Sequence, residues 1–225
     1  RASKRTVDYD GNTYNHGFSG SYNWKGAKQK SEKLNIHTGL NFGKGENDKR
    51  FYQQFLLNDL TPSGQDSTQN QFIDTYTTSY YIRTNYSKPL VKNEKILLNT
   101  GVNFTNNDDH TILNASYLNK ATNTINDNEL LSSNFIFNQG ITTSRIGITF
   151  LLNKGWRISI GEQAEYTLTS FRFLKGVTPN TRNDYWRFLP NISFRKEFSS
   201  KLNSTITIRE TIRRPSIMEL NPNID

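Results

Sequence analysis

The chain has no cysteine, one methionine, three histidines and six prolines in 225 residues. Without cysteine, neither a disulfide nor a thiolate metal site is open to it. His16, His37 and His110 lie far apart, and none falls in H-x-x-x-H or H-E-x-x-H spacing, so no metal site is expected. Asn107-Asp108-Asp109 lacks the twelve-position pattern of a calcium loop. No G-x-S-x-G or S-x-x-K elbow is present, so no enzyme and no cofactor are expected. No stretch approaches the ~20 apolar residues of a membrane-spanning helix. Nor does an apolar run follow Arg1-Ala2-Ser3-Lys4-Arg5, so these residues are not expected to be a signal peptide; in an exported protein this would be a mature or truncated piece. The net charge is +8. Its basic residues are scattered, without a basic run or a nucleic-acid motif, and nucleic acid is not expected as a partner.

The mean hydropathy of −0.74 excludes spanning helices but not a barrel, whose strands carry polar residues at every second position. Aromatic residues make up 12% of the chain, and Tyr, Phe and Thr favour pleated surfaces. Alternation with period two predicts about nine strands. The clearest is Leu202 to Thr211, with Leu202, Ile206 and Ile208 on one parity and Asn203, Thr205, Thr207 and Arg209 on the other. Phe72, Tyr76, Tyr80, Ile82 and Tyr86 mark a long fourth strand. Trp156, Ile158, Ile160, Ala164 and Tyr166 mark the seventh, and Trp186, Phe188, Ile192, Phe194 and Phe198 the eighth. Between Asn134 and Leu151 the apolar parity changes, which predicts a bulge near Gly140.

The connections sort by length. Gly43–Asp48, Ser87–Glu94, Asn153–Gly155 and Ser199–Lys201 read as short turns. Asn58–Asn70, Asn106–Ser132 and Arg172–Asp184 read as long polar loops. Short turns at one rim and long loops at the other match a transmembrane barrel. Trp156, Tyr86, Trp186 and Phe198 near strand ends match its aromatic girdles. The expected fold is all-β: an antiparallel up-and-down transmembrane β-barrel, here a partial one of about nine strands. No linker divides the chain, so residues 1–225 read as one domain. The rival is a secreted or periplasmic β-sandwich binding glycan or protein, which requires two sheets sharing a core.

Four segments resemble the barrel of the outer-membrane β-barrel family of TonB-dependent receptor-like proteins. Tyr86-Ser87-Lys88-Pro89-Leu90 resembles its aromatic-x-x-Pro-Leu turn. Gly161-Glu162-Gln163-Ala164-Glu165-Tyr166-Thr167 is similar to its G-L-R-x-E-x-T strand, with Glu162 and Gln163 in place of Leu-Arg. Tyr185 to Ile192, through Pro190, is similar to its Y-x-x-L-F-P-S segment. Ile212-Arg213-Arg214-Pro215-Ser216 with Leu220-Asn221-Pro222 resembles its R-I-x-R-P-x-x-x-x-L-N-P signature. The match covers roughly Gln71 to Asp225.

The resemblance implies a wall segment of a receptor in the outer membrane of a Gram-negative cell. Its implied partners are membrane lipid and lipopolysaccharide, a plug domain, an energy-coupling protein and an imported substrate. No plug is recognisable in the chain, and about nine strands cannot close a barrel of ~22, so a fragment is expected. Glu165, Arg187, Arg195 and Arg209 are expected to face the lumen, because charge on the lipid face at mid-depth is costly. Arg213, Arg214 and Pro215 are read as structural: the proline ends the strand and the arginines bond loop carbonyls or carboxylates.

Overall fold

The computed structural model describes residues 3–175 and 179–213, apart from the side chain at 65. Nine strands form one sheet: β1 (Ser3–Lys25), β2 (Lys33–Leu56), β3 (Pro62–Pro89), β4 (Ile96–Asn119), β5 (Thr124–Asp127), β6 (Ser133–Leu151), β7 (Trp156–Lys175), β8 (Thr181–Ser199) and β9 (Leu202–Arg209). Each long strand pairs antiparallel with its sequence neighbour in the order β1-β2-β3-β4-β6-β7-β8-β9, and the short β5 pairs only with β4. This is an up-and-down meander, open at β1 and β9. Among the described residues there is one sheet, with no second layer and no shared core, which removes the sandwich.

Register assigns every side chain to one of two faces. Even-numbered residues of the long strands occupy one face: Ile148 is level with Ile160, Ile160 with Ile192 and Ile192 with Ile208. This belt face is apolar and open. Trp186, Phe188, Ile206 and Ile208 are well exposed, and Phe194 beside them is half-buried. Odd-numbered residues occupy the opposite face, which is mostly polar and crowded. Thr143, Thr149, Glu165, Thr167 and Leu189 are buried there, as are Phe135, Phe137 and Phe171. A single layer buries one face only by curling toward it, so the sheet is an arc of barrel wall with the polar face inward.

Three sequence expectations change. Gly43–Asp48 is not a turn: β2 runs through it, pairing with β1 on one side and β3 on the other. The expected second and third strands are therefore one. Much of each expected long loop is also strand, with β4 reaching Asn119, β7 reaching Lys175 and β8 starting at Thr181. These polar stretches keep their ladder bonds beyond the ~9–11 residues that a tilted strand needs to cross a bilayer. Only 120–132 remains a long connection, and β5 occupies part of it. Finally, there is no bulge at Gly140. The β6–β7 register is unbroken from Phe135 to Leu151, with its single shift between Asn134 and Phe135. The parity change arises because Phe135 and Phe137 point to the crowded face. There they pack with Phe171 and Phe173, the Phe137 and Phe171 rings 4.7 Å apart.

At the rim of the short turns, side chains bond from one turn to the next. Glu94 adopts φ 55°, the left-handed region that non-glycine residues seldom occupy. Its carboxylate accepts from the Lys30 and Ser31 amides at 3.1 Å each and from the Ser31 hydroxyl at 2.6 Å. These bonds, the Ser31 hydroxyl foremost, hold its carboxyl below the usual glutamate range. The Tyr86 hydroxyl donates to Glu32 at 2.6 Å, Lys95 Nζ to Asn153 at 3.1 Å, and Lys196 Nζ to the Lys154 carbonyl.

Candidate functional site

The crowded face of β3 to β9 carries the polar side chains that the fold brings together. Alternation places Glu165 at its middle, between Thr143 of β6 and Arg187 of β8, each its direct ladder partner. Glu165 is 2% exposed, and its Oε1 accepts from the hydroxyl of the fully buried Thr167 at 3.3 Å. Burying a carboxylate this deeply requires charge and hydrogen-bond compensation, and the E-x-T spacing supplies part of it on the same face. Arg187, Arg195 and Arg209 share that face with Glu165, Arg209 opposite Asn191 and Arg195 opposite Thr205.

Sequence reading missed further arginines on this face, and parity within β3, β6 and β7 was the signal that could have found them. Arg83 Nε donates to Asn103 at 3.2 Å and stacks 4.7 Å over Tyr81. Arg145 Nη2 donates to Asn85 at 2.9 Å. The Tyr81 ring lies over Gly39, where a Cβ would sit 2.5 Å from it, and its hydroxyl pairs with His37 Nε2 at 3.0 Å. Glycine in β2 thus gives the ring a seat that any larger residue would fill. Two adjoining hollows of about 400 Å³ and 410 Å³ share Arg145, Gln163 and Glu165. The face therefore offers guanidinium forks, amides and hydroxyls around one buried carboxylate. That set can hold polar or charged groups by hydrogen bonding.

The motif residues fall in two groups. Pro89 closes β3 and Leu90 opens the turn after it, its amide donating to the Ile96 carbonyl at 2.8 Å. Gly161 sits directly opposite Gly147, where a Cβ would meet the Ile146 carbonyl at 3.1 Å. Pro190 ends the β8–β9 ladder. Its carbonyl accepts from the Glu210 amide at 3.2 Å, but its nitrogen, on the same edge, has no hydrogen to return. β9 accordingly stops at Arg209, two residues short of the expected Thr211. Arg213 is the last described residue, while Arg214, Pro215, Leu220, Asn221 and Pro222 lie outside the described residues. Glu162 is on the belt face between Ile146 and Pro190, an acidic side chain within the apolar band.

The ferric citrate transporter FecA in its unliganded form aligns at 10% identity and a TM-score of 0.46, over 79% of this chain and 27% of that chain. The copper transporter OprC aligns at 8% identity and 0.46, over 95% and 42%. The ferric yersiniabactin uptake receptor FyuA from Yersinia pestis aligns at 12% identity and 0.36, over 91% and 44%. The chain thus spans less than half the length of each. A search of curated proteins gave no match. A model of the outer membrane protein beta-barrel family matches residues 25–225, nearly the whole chain. The curled antiparallel sheet, its open apolar belt and this match agree: the chain belongs to the outer membrane protein beta-barrel family.

Proposed function

We propose that this chain is a wall segment of a TonB-dependent receptor-like import channel in the outer membrane. The observation that carries the reading is the division of one sheet into two solvents. The belt face presents Phe188, Ile206 and Ile208 outward, while the opposite face buries Glu165 and Thr167. In this reading bilayer lipid, with lipopolysaccharide in its outer leaflet, covers the belt. The arginine-bearing face, including Arg187, Arg195 and Arg209, forms the lumen wall. It meets a plug domain and the passing substrate, and an energy-coupling protein in the periplasm drives the plug. The wall itself positions and excludes and performs no bond chemistry. The four motif segments support the receptor reading over a plain porin.

Single-cysteine variants of the full-length protein in native outer membranes test it. Ser193→Cys and Thr207→Cys lie on the arginine face, Phe188→Cys and Ile206→Cys on the belt. A charged maleimide is expected to label the first pair and spare the second. Labelling of the first pair is also expected to rise when the inner membrane is energised and to fall with a protonophore. Equal labelling of both pairs would refute the wall, and indifference to the protonophore would refute the coupled receptor.

A further inference from the structure

On the arginine face, Arg157 of β7 and Arg195 of β8 are direct ladder partners, side by side near the short-turn rim. Directly opposed side chains on one face have Cβ atoms about 4.5–5.5 Å apart, and like charges in that position destabilise a sheet. Their other ladder partners bring no charge: Leu151 flanks Arg157 and Thr205 flanks Arg195. Among the described residues neither guanidinium has a hydrogen-bond or ion-pair partner. The two line a hollow of about 130 Å³ together with Leu151, Leu152, Gly155, Trp156 and Glu197. Against the single carboxylate of Glu197 the two guanidiniums leave one positive charge in excess.

The geometry points to a carboxylate clamp: Arg157 and Arg195 together take an Asp or Glu side chain from the polypeptide that lies against this wall. Each guanidinium is a planar fork of donors, and one carboxylate accepts from both. The hollow has room for a carboxylate, and charge complementarity selects an acid over an amide. This rests on the lumen reading above and adds the chemistry of the contact: the interior partner is acidic at the short-turn rim. It also explains why the sheet keeps two like charges in register, since the bridging anion turns their repulsion into attraction.

The test uses the full-length protein with a photo-crosslinking amino acid at Ser193, next to Arg195 on the same face, and separately at Thr143, away from the clamp. Heat-modifiable migration confirms that each variant is folded. Products from Ser193 are expected to map to an acidic segment of the same protein. Their yield should drop about tenfold in the Arg157→Gln/Arg195→Gln double variant, as expected for lost charged hydrogen bonds. It should persist in Arg157→Lys/Arg195→Lys, while Thr143 products are unchanged throughout. Ser193 products that ignore the glutamine substitutions, or that map to a segment without acid, overturn the clamp. So does arginine-dependent binding of inorganic phosphate with crosslinks unchanged, because the anion is then a free solute. Absence of polypeptide products from both positions overturns the lumen reading itself, a different failure from loss at Ser193 alone.

Discussion

Phe188→Ala measures what lies against the belt. Phe188 is 65% exposed, next to Ala164 on β7 and on the open side of β8. A phenylalanine offers roughly 200 Å², so about 130 Å² of this ring meets its surroundings rather than protein. If those surroundings are hydrocarbon, that area leaves water on folding and contributes ~3 kcal/mol at ~25 cal/mol per Å². Alanine retains a fraction, so truncation is expected to cost about 2 kcal/mol. If the surroundings are water, the ring gains nothing by staying exposed, and the change falls within about 0.5 kcal/mol, as at any open surface position. Reversible urea unfolding from phospholipid vesicles separates the two cases. Phe188→Lys extends the series, with a further cost of ~2–4 kcal/mol toward the bilayer centre. A Phe188→Ala change below about 0.5 kcal/mol would refute the assignment of the belt to lipid, however apolar the face looks.

Other consequences can be checked separately. Phe137, 3% exposed and packed against the Phe171 ring, should lose ~3–5 kcal/mol on truncation to Ala in the same assay, and far less as Leu. In Pro190→Ala the new N–H can reach the Glu210 carbonyl and lengthen β9. The new amide at position 190 should exchange about fivefold more slowly than an unbonded amide, one ordinary hydrogen bond's worth; an unprotected amide there would contradict the account of why β9 stops. Glu94 is held below the ordinary carboxylate range. A depressed folded pKa means the stabilisation is complete above the unfolded value and disappears as pH falls through the folded one. The Ser31 amide resonance should therefore move only at pH below the usual glutamate range, and Glu94→Gln should abolish that movement.

The division into faces was legible because parity is a local property: each residue of a strand knows its face from its neighbours two away. Trp186, Phe188, Ile206 and Ile208 fell on the belt, and Arg187, Arg195 and Arg209 on the other side, as alternation requires. The errors came where composition imitates a break. Gly43 to Asp48 has the glycines and charges of a turn, yet β2 continues because ladders on both sides outweigh local preference. Near Gly140 the apolar parity switches although the backbone does not, because the buried side at that height belongs to the phenylalanine cluster. The clamp pair was invisible in sequence. Arg157 and Arg195 are 38 positions apart by number, and only the β7–β8 register brings them level.

The bonds that run from turn to turn have a consequence for how such a wall could fail. Ser31, Glu94, Lys95, Asn153, Lys154 and Lys196 tie successive hairpins to one another across the strand direction. They work as the hoop of a cask. A hairpin sliding along its neighbour by one pleat would stretch its tie before losing many ladder bonds, so the hoop opposes slippage that the repetitive Tyr, Thr and Asn of the strands would otherwise tolerate. Cutting the tie at Glu94 should leave every strand formed but let the β1–β2 hairpin drift in register against β3.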